Sequence, residues 1–220
     1  MTPETGQGVF NQVAPRGCKT AAVHKGRLEA FSDGVIAILI TIMVLELHAP
    51  HGSRFSALRP LAPLFVTYGL SFVNLGIYWN NHHHLLQATR RISGGVLWAN
   101  LHLLFWLSLL PLATAWMGEN HFAKVPTAGY GVVLLAAGIA YFILQTVILS
   151  VQDSDSVLHA ALGQDLKGKI SPLLYAVAIP SAFVNRWIAF TLYVIVSLMW
   201  LIPDRRLETR FAPPDTSSGG

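Results

Sequence analysis

Three sets of side chains in this chain are able to do chemistry, and all three lie at or inside apolar runs. Arg27, Phe31, Ser32 and Asp33 lead into the apolar run 28–47, which also carries Glu29 and Glu46. A guanidinium, a hydroxyl and a carboxylate this close can bind an ion, relay a proton or cross-link helices through hydrogen bonds. Further along, Ile38, Thr41, Ile42 and Leu45 follow one another at i, i+3, i+4 and i+7, the stripe of one helical face. Such a stripe describes either a packing seam or the lining of a pore. The triplet His82-His83-His84 offers metal ligands or proton carriers. Consecutive helical residues point ~100° apart, so three in a row cannot share one tetrahedral ion. No metal is expected. Instead, one of these histidines is expected to hydrogen-bond Ser32 or Asp33, with Trp79, Asn100 and His102 as further candidates for the same network.

The elements that must position these groups are transmembrane helices. The chain has 220 residues, 53% of them hydrophobic and only 12% charged, against about 25% charged in a soluble domain. Run 28–47 covers ~30 Å at ~1.5 Å per residue, the thickness of a hydrocarbon core. A charge at the centre of a lipid-facing helix costs ~2.5–3.5 kcal/mol, so the carboxylates of this run need partners or water. Five more apolar runs follow, over 57–79, 92–116, 129–151, 171–183 and 187–202. Pro111 is expected to kink the third.

Eleven of the fifteen Lys and Arg residues fall on one side of this six-span plan: Arg16, Lys19, Lys25, Arg27, Arg90, Arg91, Lys167, Lys169, Arg205, Arg206 and Arg210. The positive-inside rule makes that side, and both termini, cytoplasmic. The segments 1–26 and 204–220, rich in Gly, Pro and polar residues, are expected to be disordered cytoplasmic tails flanking a single domain over 27–203. The positive charge lies at loop ends, which suits anionic lipid headgroups rather than nucleic acid.

The pattern Arg27-x-x-x-Phe31-Ser32-Asp33, running into an Ile/Leu/Thr-rich helix, resembles the signature of the endolysosomal potassium channel family named transmembrane protein 175. The resemblance extends to Trp79-Asn80-Asn81-His82-His83-His84 and covers the six-span plan, roughly residues 25–202. It implies an all-α membrane protein of six transmembrane helices per subunit. The implied assembly is a homotetramer in the cell membrane, with the first helix of each subunit lining a central pore. Carried over onto this chain, Arg27, Ser32 and Asp33 knit the first helix to its neighbours, with Phe31 packed beside them. Ile38 forms the narrowest ring, Ile42 and Leu45 form further apolar rings, and Thr41 forms a hydroxyl ring.

The expected function is passive flux of potassium through a hydrophobic constriction, because an apolar ring gates by dewetting. The chain contains no Thr-Val-Gly-Tyr-Gly filter and no arginine ladder for voltage sensing. No cofactor is expected, potassium being the permeant ion, and no enzymatic activity. The competing function is a proton-coupled secondary transporter using Asp33 and His82, His83 and His84. Such carriers favour broken helices at the membrane midplane, whereas run 28–47 has no Pro and Gly34 as its one glycine. Glu46, near the outer end of that run, either concentrates cations at the mouth or is solvated at the interface.

Overall fold

The computed structural model describes residues 17–152 and 166–201, all helix and short connections. The first pass is α1 (Gly17–Leu45). A 3₁₀ turn over Phe55–Leu61 leads without a break into α2 (Ala62–Ala88), with a proline in its first turn, where the missing N–H costs nothing. The third pass comprises two pieces, α3 (Gly94–Ser108) and α4 (Leu110–Glu119). They are separated at Leu109 because Pro111 has no N–H to continue the ladder. The fourth is α5 (Lys124–Val151), and the last two are α6 (Leu166–Val184) and α7 (Arg186–Leu201). Four passes are long and apolar enough to cross a membrane unaided; the apolar parts of the last two, Ile170–Val184 and Arg186–Leu201, are shorter.

The segment 1–26, expected to be disordered, is corrected in part. The helix already begins at Gly17, so residues 17–26 extend α1. Residues 1–16 and 202–220, which hold the rest of the two expected tails, lie outside the described residues. The second pass also runs on beyond residue 79 to Ala88. Its run of Asn and His ends the apolar pattern but not the helix.

In the bundle, α5 packs against α3, α4, α6 and α7, while α1 lies on one flank against α2, α3 and α4. The inner face of α5 carries Tyr130, Leu134, Ala137, Ala140, Leu144 and Ile148, all buried. Small residues let backbones approach closely where packing alone must hold helices together. A Cβ on Gly118 of α4 would come within 2.9 Å of the Leu64 Cα of α2.

A polar seam threads this core. Thr114 on α4 donates to Leu110 O at 2.6 Å, so Ser71 on α2 is the donor in their 2.6 Å hydroxyl pair. The Tyr130 hydroxyl on α5 then donates to Ser71 at 3.0 Å. One turn on, the Ser197 hydroxyl of α7 shares its proton between Tyr193 O at 2.9 Å and Asn74 Oδ1 at 3.1 Å. Every hydrogen bond of this seam lies inside the bundle, as hydrocarbon requires.

The pore-helix candidate and its polar anchor

One face of α1 is built for the inside of the protomer. Leu28, Ser32, Ile36, Leu39 and Met43 are all buried, at spacings of three and four. The opposite face is left open. Ile38 is 57% exposed, Ile42 38% and Leu45 78%, and Thr41 between them is exposed as well. The four residues expected to share a stripe do share one, and nothing within the protomer covers it. Gly34 extends the same stripe by one turn towards Phe31, with no neighbouring atom within 4 Å of where its Cβ would lie. Sequence reasoning missed Gly34, although its offset of four from Ile38 is the available signal. The Thr41 hydroxyl donates to Ile38 O at 2.8 Å. Its proton is therefore occupied, and its oxygen lone pairs are the part it can offer to a cation.

The buried face is anchored by a hydrogen-bonded chain. Asn100 on α3 donates from Nδ2 to Ser32 Oγ at 2.9 Å, and its Oδ1 lies 2.7 Å from His82 Nε2 on α2. Because the amide oxygen can only accept, His82 donates from Nε2. Ser32, Asn100 and His82 are fully buried. The chain thus ties α1, α3 and α2 together at one level of the membrane.

Asp33 belongs to a second tie. Its Oδ1 accepts from the Trp79 indole at 3.0 Å. The Trp79 ring stacks on His83 with centroids 5.8 Å apart, and His83 Nε2 meets Gln87 Nε2 at 2.8 Å. Further towards the same end, Lys25 of α1 donates to Gln87 O at 2.7 Å. That contact ties the start of the apolar part of α1 to the end of α2.

Several expected members are not in the network. Arg27 is exposed and makes no hydrogen bond to Ser32, Asp33 or His82 among the described residues. Phe31, expected to pack beside them, is 53% exposed in the protomer. His84 is exposed and, among the described residues, meets the edge of the His83 ring. His102 points off the outer side of α3 and accepts from Trp106 one turn on, at 3.0 Å. Of the candidates for this network, Trp79 is the donor to Asp33, while Asn100 and His82 form the tie to Ser32. Among the described residues no three His, Cys, Asp or Glu side chains converge as a metal site.

Comparison with known proteins points the same way. Residues 27–111 match a family model described as the endosomal/lysosomal potassium channel TMEM175. A potassium channel of Chryseobacterium sp. (strain P1-3) is 53% identical over 184 residues, which is 84% of this chain and 96% of that protein. The endosomal/lysosomal proton channel TMEM175 of Homo sapiens is 33% identical over 116 residues, 47% of this chain and 23% of that protein. Among solved structures, the crystal structure of a lysosomal potassium-selective channel TMEM175 homolog from Chamaesiphon minutus superposes with a TM-score of 0.72. It is 27% identical, and the match covers 81% of this chain and 97% of that one.

Proposed function

The chain belongs to the TMEM175 channel family, and from that premise we propose that four copies assemble around a pore lined by α1. The pore passes potassium passively across the cell membrane, with both termini in the cytoplasm. One observation carries this reading. Ile38, Thr41, Ile42 and Leu45 form an open stripe on a helix whose other face is fixed by buried hydrogen bonds.

A ring of four Ile38 side chains cannot replace an ion's hydration shell, so it closes by dewetting and sets the main barrier. Ile42 and Leu45 continue the apolar wall outward. Thr41 supplies lone pairs one turn above the constriction, where they assist partial dehydration. Potassium gives up water more readily than the smaller sodium ion, so weak polar help of this kind favours it. Selectivity is correspondingly modest beside that of a carbonyl filter. Arg27 and Phe31, open in the protomer, lie where a neighbouring subunit can pack on them. No cofactor takes part.

The same anchor argues against a proton-coupled carrier. His82 and Ser32 are joined through Asn100 rather than facing a cavity, and α1 runs from Gly17 to Leu45 without a break. Reconstitution into a planar bilayer with potassium on one side and sodium on the other tests the reading. Discrete currents that reverse on the side favouring potassium are expected. Flux confined to carrier turnover rates, or coupled to a proton gradient, would overturn it.

A further inference from the structure

A second hydrophilic feature lies away from α1, inside each protomer. Between α2, α5, α6 and α7 runs a cavity of about 50 Å³, with Asn74 and Tyr175 at its inner end and Asn81 and Gln145 towards the end of the bundle where α2 stops. From Asn74 to Asn81 is seven residues of helix, a depth of ~10 Å. Part of its lining is already satisfied. Trp200 donates to Ser171 at 2.7 Å, and Ser171 donates to Lys167 O at 2.7 Å. Another part is not. The Tyr78 and Tyr175 hydroxyls and the side-chain amides of Asn81 and Gln145 line the cavity without a hydrogen bond to any described residue. Tyr175 is only 4% exposed.

Unpaired polar groups at this depth cost several kcal/mol each in hydrocarbon, so an acyl chain is the wrong occupant. Phenols and carboxamides offer donors and acceptors together. Among the lining residues there is no formal charge, so no carboxylate is there to hold a cation. Ordered water needs ~10–15 Å³ per molecule and two to four polar partners; both conditions are met here for a few molecules.

We propose that this crevice is a binding site for small uncharged hydroxyl compounds, filled by water at rest and open to short glycols and alcohols. Its occupant hydrogen-bonds α2 and α5 and rests on α6 beside Pro172, which also lines it. Gly138 makes the room. A Cβ there would meet nothing closer than the Tyr78 hydroxyl at 3.8 Å, so a larger side chain at 138 projects into the space.

The test is thiol accessibility in the assembled protein in lipid nanodiscs, with the single native cysteine removed by Cys18→Ser. Ile77→Cys lines the crevice, whereas Ile139→Cys faces outward. A thiol in hydrocarbon stays protonated and unreactive, so Ile77→Cys is expected to react with neutral methyl methanethiosulfonate about 100-fold faster than Ile139→Cys. Gly138→Leu should slow that reaction at least tenfold. Gly138→Ala, whose methyl fits, should slow it less and serves if the leucine variant does not assemble. Ethylene glycol should protect Ile77→Cys saturably and leave Ile139→Cys unchanged. Equal slow rates at the two positions mean a dry or lipid-filled crevice and overturn the proposal. So does a rate at Ile77→Cys that ignores both Gly138 variants, or the absence of glycol protection. Because the assay reads no current, its outcome is independent of the pore.

Discussion

Ser32 and Asp33 are neighbours in sequence, yet each is held by a different helix: Ser32 by Asn100 of α3 and Asp33 by Trp79 of α2. Adjacent helical side chains point ~100° apart, so this pair braces α1 in two directions at one height. The burial of the two ties differs. Ser32 is sealed, and Asp33 is partly open.

Asn100 is the middle of the sealed tie, and its loss is expected to cost more than the loss of either end. Asn100→Leu leaves Ser32 Oγ and His82 Nε2 without their partner in a dry interior, at ~1–3 kcal/mol for each stranded group. Thermal unfolding of the assembled protein in detergent should show a larger drop for Asn100→Leu than for Ser32→Ala. Equal drops would mean that water reaches the site and replaces the amide.

For the second tie, Trp79→Phe keeps a smaller aromatic ring beside His83 and removes the indole donor. A hydrogen bond to a charged group contributes ~1.5–3 kcal/mol. Asp33→Ala should lower the yield of assembled protein, and Trp79→Phe with Asp33→Ala should be little worse than Asp33→Ala alone. Additive losses would show that the two residues act separately. An assembled Asp33→Ala channel with altered ion preference would instead put this carboxylate on the permeation path.

At the proposed constriction, Ile38→Asn should wet the ring and raise single-channel current for potassium and sodium alike, several-fold over wild type. Wild-type conductance in that variant would show that the barrier lies elsewhere, with Ile42 and Leu45 the next positions to substitute.

In the proposed pore, Thr41 is expected to act through its oxygen, since its proton is given to Ile38 O. Thr41→Val keeps the volume and removes the lone pairs; Thr41→Ala removes both. The potassium-to-sodium permeability ratio from reversal potentials should fall in both variants while assembly is unchanged. A ratio unmoved in both would refute the role.

Gly118 tests packing between α4 and α2, away from the open stripe of α1. Its added methyl would press on the Thr67 hydroxyl and the Leu64 backbone, at 2.6 and 2.9 Å. Because a backbone atom cannot move aside like a flexible side chain, Gly118→Ala is expected to destabilise by ~1–3 kcal/mol. A matching fall in the midpoint of thermal or denaturant unfolding is the readout.

The open stripe of α1 was legible because hydrophobic periodicity records which residues share a face, and Ile38, Thr41, Ile42 and Leu45 share one. The break at Leu109 was legible through Pro111, whose chemistry forbids an unbroken ladder. The choice among the histidines was not. His82, His83 and His84 have the same chemistry, and only the rotation of α2 against α3 turns His82 inward and leaves His84 outside. The same rotation decided against His102, which lies on the outer side of α3. Arg27 and Phe31 carried a motif in the sequence but find no place inside one protomer. Extended helix ends escaped as well, since hydropathy marks the apolar slab whereas α2 keeps its hydrogen bonds well past it.

The buried seam along α2 has a consequence for how the protein is made. Ser71 and Asn74 enter the membrane before their partners exist, because Thr114, Tyr130 and Ser197 are synthesised later in the chain. Within α2 itself, Asn74 Nδ2 donates to Leu70 O at 2.9 Å, so the donor side of the amide is satisfied as soon as the helix forms. What the later helices add is the cross-bracing of Ser71 and of the Asn74 carbonyl oxygen, so α2 gains its polar ties in the order in which α4, α5 and α7 arrive.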